Sequence, residues 1–64
     1  MKIFIEREQR EEDLNFNGKA SKLLEKIMVN PQTVLIIRNG KLVTEDQKLE
    51  NADEIKLMSV VSGG

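Results

Sequence analysis

The chain has 64 residues, ten Lys or Arg against eleven Asp or Glu, a net charge of −1, and neither Cys nor His. That length makes one domain, which buries only about 60% of the surface its unfolded chain exposes. The missing residue types exclude a disulfide framework, a thiolate nucleophile, Cys-based metal sites and the commonest general base; two aromatics and no long basic run leave little for nucleic acid to stack on or be steered toward.

Met1, Ile3 and Ile5 alternate with Lys2, Phe4 and Glu6, the period-two pattern of a half-buried strand. This run is too short for a signal peptide or a membrane span, and no other stretch is longer, so a reducing cytoplasm and no membrane partner are expected. After a polar turn around Glu8-Gln9-Arg10, Glu12 to Phe16 alternates again and predicts a second strand that points Leu14 and Phe16 inward. Glu11-Glu12-Asp13 fall on alternating faces rather than around a turn, which makes a solvated sheet edge and not a cation site.

Asn17-Gly18 breaks the extended pattern, and Ala20, Leu23, Leu24, Ile27 and Met28 then recur at helical spacing as one apolar stripe. Asn17 is the best N-cap by residue type, with Gly18 as an alternative. Pro31 cannot continue a helix and pushes Asn30 toward extended geometry, so the helix is expected to close by about Val29. Thr33 to Arg38 is rich in β-branched residues, Asn39-Gly40 is a two-residue hairpin signal, and Lys41-Leu42-Val43 returns. Thr44 to Asn51 is polar except for Leu49 and reads as a surface connection pinned by that residue. Ile55 and Leu57 alternate with Lys56, Met58 and Val60 in a final strand that leads to Gly63-Gly64.

Hairpin, helix, hairpin and final strand are most economically packed as one helix across one face of a mixed sheet of four or five strands, the first and last strands parallel and central. The fold class is α+β, a β-grasp over residues 1–60 with a C-terminal tail at 61–64. One helix covers one sheet face. If Ile3, Ile5, Ile55 and Leu57 face it, then Phe4, Met58 and Val60 face away, and Leu35 and Ile37 are expected to join them as a partner-binding patch. Gly63 and Gly64, without Cβ atoms, place a free carboxylate where a narrow slot can take it. No nucleophile, base or phosphate-cradling loop can be assembled here, so the chain is not expected to be an enzyme.

The element order, the Asn39-Gly40 turn and above all the end Val60-Val61-Ser62-Gly63-Gly64 resemble the ubiquitin-like sulfur carriers: the thiamine-biosynthesis carrier ThiS, the molybdopterin synthase small subunit MoaD and archaeal small modifier proteins. The resemblance covers the whole chain. It implies that a separate E1-like adenylyltransferase uses ATP to adenylate Gly64, that a sulfur donor converts the adenylate to a thiocarboxylate, and that a synthase accepts the sulfur. That acceptor would be thiazole synthase or the molybdopterin synthase large subunit. No cofactor is expected on the carrier itself. Val61, Ser62, Gly63 and Gly64 would thread the partner's channel, spanning at most about 13 Å when extended. The same adenylate would also serve a protein modifier that forms isopeptide bonds through Gly64. Relatives often carry Asp-Gly-Asp before the last strand where Asn51-Ala52-Asp53 stands, which assigns Asn51 the left-handed conformation Gly would supply. Thr44 replaces a Pro common in thiamine-type carriers, and the Pro near the tail of molybdopterin-type subunits is absent, so the thiamine type or a general sulfur carrier fits best.

Overall fold

In chain order the elements are β1 (Lys2–Ile5), β2 (Arg10–Asp13), β3 (Gly18–Lys19), α1 (Ala20–Lys26), β4 (Val34–Arg38), β5 (Lys41–Val43), β6 (Lys48–Leu49) and β7 (Glu54–Ser59), with 3-10 turns at Glu6–Glu8 and Pro31–Thr33. These come from a computed structural model, which describes residues 1–60. The main sheet has the order β2-β1-β7-β4-β5. β1 and β7 are parallel, with Ile3 opposite Ile55 and Ile5 opposite Leu57, and the other neighbours are antiparallel. A mixed five-stranded sheet with one helix is the ubiquitin-like β-grasp expected from the element order.

The alternation in β1 and β7 decides which face is buried. Ile3, Ile5, Ile55 and Leu57 point inward and meet Ala20, Leu23 and Leu24 of α1, with Met1, Ile36 and Leu49 completing the core. Each of the Ile, Leu and Met side chains among them contributes about 1.5–3 kcal/mol on burial. Leu49, the anchor expected for the long connection, is fully buried. The connection is also more ordered than its polar sequence indicates, because β6 pairs antiparallel with β3. Short two-residue strands carry too little periodicity to be read from sequence.

Three local expectations change. The second strand ends at Asp13, and Leu14 and Phe16 lie beyond it as half-buried residues packed against the core. Leu14 still exchanges backbone hydrogen bonds with Met1, at 3.1 Å and 2.9 Å, before the chain turns away. Neither Asn17 nor Gly18 caps the helix. Lys19 holds the cap position, and the Ala20 and Ser21 N–H groups donate to the carbonyls of Gln47 and Glu45, both at 2.8 Å. The loop backbone thus satisfies orphan donors that a side-chain cap would otherwise take. Asn17 instead accepts from the Asn51 N–H at 3.0 Å.

The helix ends at Lys26, inside the limit expected at Val29. Val29 N–H donates to Leu24 O at 2.8 Å and Met28 N–H to Glu25 O at 3.2 Å, the two bonds of a Schellman motif. Met28 occupies its left-handed position, φ 62°, and is 92% exposed rather than part of the apolar stripe. A β-carbon in that conformation costs about 1–2 kcal/mol, partly offset by the greater chain entropy of glycine. Met28→Gly is therefore expected to raise stability by about 0.5–1 kcal/mol, read as a higher urea midpoint at unchanged slope.

At the second hairpin Asn39 and Gly40 have φ of 49° and 84°, the pair of positive angles a type I′ turn requires.

Candidate functional site

Side chains on the sheet face away from α1 follow from register. Across one row stand Glu11 on β2, Phe4 on β1, Lys56 on β7, Ile37 on β4 and Leu42 on β5. The next row toward the chain end pairs Met58 with Leu35. Val60 follows on the same face, its N–H donating to Thr33 O at 2.9 Å, so the ladder continues to the last described residue.

The expected patch is therefore extended rather than compact. Leu35, Ile37, Met58 and Val60 lie together on β4 and the end of β7, with Leu35 45% and Val60 43% exposed and the other two half-buried. Leu42, 65% exposed opposite Ile37, extends this group. It was missed from sequence because a three-residue strand after a turn does not declare which face its middle residue takes. Phe4 lies further from Val60 on the same face, with Lys56 opposite both it and Ile37. Period two places residues on a face but says nothing of which charged side chain a neighbouring strand interposes. The tail residues Val61, Ser62, Gly63 and Gly64 lie outside the described residues.

The end of the sheet opposite Val60 is held by a buried polar clamp that sequence reading also missed. Asp53, 6% exposed, accepts from the Glu50 N–H at 2.8 Å, the Arg38 Nε at 2.7 Å and the Asn39 Nδ2 at 3.0 Å. Asn39 Oδ1 in turn accepts from the Glu54 N–H at 2.9 Å. The Glu50 N–H, with the Asn39 amide and the Arg38 guanidinium, holds the Asp53 carboxyl below its ordinary value, and burial opposes them without prevailing. The signal was present once strands were paired, since Arg38 opposite Ile55 brings Asp53 beside the Asn39 turn.

Asn51 does not adopt the left-handed conformation expected of it. Its Oδ1 accepts from the Met1 ammonium and the Phe16 N–H, both at 3.0 Å, so it ties the start of β1 to the approach of β7 by side chain rather than by backbone geometry. Asn51 thus holds β1 beside β7 and Asp53 holds β4 beside β7, and that register keeps Met58 and Val60 on the open face.

Among the described residues no cluster of acidic side chains has metal-ligand geometry, and no helix is long and apolar enough to cross a membrane.

The model of the ThiS family matches residues 3–64. The sulfur carrier protein TtuB of Thermus thermophilus is 30% identical over 57 residues, covering 89% of this chain and 88% of TtuB. An uncharacterized protein of Archaeoglobus fulgidus is 34% identical over 62 residues, covering 95% of this chain and 91% of the relative. With a β-grasp body, one uncovered sheet face and a family match that runs from the first strand through the terminal glycines, the chain belongs to the ThiS family.

Proposed function

We propose that this protein is a sulfur carrier, of the thiamine type or a general one, a cosubstrate rather than an enzyme, whose Gly64 carboxyl is activated by a separate E1-like adenylyltransferase. The observation that carries the reading is the family match reaching residue 64, supported by a relative of nearly equal length that is itself a sulfur carrier protein.

The chemistry follows from the terminal carboxylate. Its oxygen attacks the α-phosphorus of an ATP held by the partner, and pyrophosphate leaves. The resulting mixed anhydride has AMP as a good leaving group. A sulfur nucleophile adds to the Gly64 carbonyl, AMP departs, and the terminus becomes a thiocarboxylate. A synthase that builds the thiazole of thiamine then takes the sulfur, and the molybdopterin synthase large subunit is the alternative acceptor. This chain's own part is to present the tail and to be held. Leu35, Ile37, Leu42, Met58 and Val60 supply an apolar holding surface on the face from which the chain runs on into residues 61–64.

ATP–pyrophosphate exchange with the cognate E1-like enzyme tests the reading. Full-length protein is expected to stimulate exchange, and deletion of Gly64 to reduce it to the enzyme-only background. Exchange that survives loss of Gly64 would show that the carboxyl activated is elsewhere.

A further inference from the structure

The two edges of the main sheet are guarded differently. β2 presents Arg10, Glu11, Glu12 and Asp13, every one charged, which discourages another strand from pairing there. β5 presents Lys41, Leu42 and Val43, and Leu42 is 65% exposed.

The backbone of Leu42 points outward as well. The two-residue Asn39-Gly40 turn makes Arg38 and Lys41 a hydrogen-bonded pair, so in the antiparallel alternation Ile37 and Leu42 form the pair that exchanges no bonds. The Leu42 N–H and carbonyl therefore both face away from β4, and among the described residues no loop backbone answers them. Beside them β5 ends at Val43 while β4 extends to Val34. Thr33 turns its carbonyl to the Val60 N–H, so Val34 turns its own polar groups the other way, toward the missing stretch of β5. The result is a groove of about 340 Å³ walled by Pro31, Val34, Leu35, Leu42, Thr44 and Glu45.

We infer that β5 pairs with β5 of a second copy of this chain, antiparallel about a two-fold axis through Leu42. Each Leu42 N–H donates to the Leu42 carbonyl of the other copy. The same register sets Lys41 against Val43, Gly40 against Thr44 and Asn39 against Glu45. Each copy's turn then lies along the other's groove, and Lys41 reaches diagonally toward Glu45 of the other copy. No like charges stand directly opposite. Pairing β2 with β2 instead sets carboxylate against carboxylate, and pairing β2 with β5 is head-to-tail and does not close. Because the axis is perpendicular to the sheet, both open faces look the same way, and Leu35, Ile37 and Leu42 of the two copies form one apolar strip. Three paired residues fall short of the roughly 1,000 Å² of a lasting interface, so the pair is reversible, with a dissociation constant of about 0.1–1 mM. This pairing goes beyond the carrier reading and does not depend on it.

Sedimentation equilibrium of the full-length protein, from about 0.05 to about 2 mM, tests it. The average mass is expected to rise from one chain toward two. Leu42→Pro removes the outward N–H, a change an edge strand tolerates, and is expected to stay a single chain throughout with a cooperative melt like that of wild type. Amide hydrogen exchange on wild type needs no variant. Over the same range exchange of the Leu42 amide should slow about two- to fourfold, while the Lys41 and Val43 amides, which face β4, keep their rates. A single-chain mass at the highest concentration overturns the inference. So does association that persists in folded Leu42→Pro, or that leaves the Leu42 amide unprotected, since the copies then meet through their open faces or elsewhere.

Discussion

Replacing Ile37 with Asp is expected to lower kcat/KM for adenylation of Gly64 by about thirty- to a hundredfold. Ile37 is at the junction of the open face, between Lys56 on β7 and Leu42 on β5, and is half-buried; the proposed docking would cover it. A carboxylate there would lose the apolar contact that Ile37 offers a partner, with Lys56 beside it offsetting only part of the desolvation, and central interface residues of this kind are worth about 2–3 kcal/mol. The tail remains intact, so the loss belongs in KM and kcat at saturating carrier should stay near wild type. Because Ile37 is not in the inner core, its melting temperature should move by only a few degrees. Exchange rates measured over a range of carrier concentrations separate the two parameters. A fall in kcat with KM unchanged would place Ile37 outside the docking surface.

Replacing Asp53 with Ala is expected to cost about 3 kcal/mol of folding stability, the largest effect of any polar substitution considered. The change removes three hydrogen bonds and leaves the Arg38 guanidinium, only 27% exposed, without its carboxylate. The pH dependence has a definite sign. Asp53 titrates below its ordinary value of 3.8 in the folded protein, so the unfolded chain takes up its proton first as pH falls. The clamp's contribution is thus complete above that value and is lost as pH drops through the folded value. Urea unfolding of wild type should show this acid limb below about pH 4, and Asp53→Ala should show a shallower one. An unchanged limb in the variant would mean that other carboxylates govern acid unfolding. Slackening of the clamp would also loosen the pairing of β4 with β7, so the variant is expected to dock less tightly even where it remains folded.

The elements that sequence made plain are those in which one physical signal dominated. β1 and β7 alternate cleanly, Asn39-Gly40 admits the two positive φ angles of its turn, and the spacing of Ala20, Leu23 and Leu24 places three residues in the core. The choice of Leu35 and Ile37 as outward residues follows from the same alternation, with Ile36 buried between them. What remained hidden depended on partners far away in the chain. The N-terminus of α1 is satisfied by carbonyls 24 and 27 residues later, at Glu45 and Gln47, so no cap residue advertises it. Met28 fits the helical period but takes the left-handed turn that ends the helix. Leu42 and Asp53 acquire meaning only after β4 has been paired with β5 and β7. Phe4 was placed on the correct face, but it lies further from Val60, with Lys56 opposite both it and Ile37.

In the proposed reading one enzyme activates the carrier and another accepts its sulfur, while the body offers one uncovered sheet face. That face is apolar from Ile37 to Val60 and more charged toward its other end, where Lys2, Glu11, Glu54 and Lys56 stand.

The central claim is that a separate enzyme works on the last backbone carbonyl of this chain. Intact-mass spectrometry after incubation with the cognate adenylyltransferase, ATP and a sulfur donor tests it most directly, with fragmentation used to locate the change. The account predicts replacement of one oxygen by sulfur, confined to Gly64 and dependent on ATP. Protein that stays at its starting mass with an adenylyltransferase shown to be active, or that gains sulfur at any other residue, would contradict it.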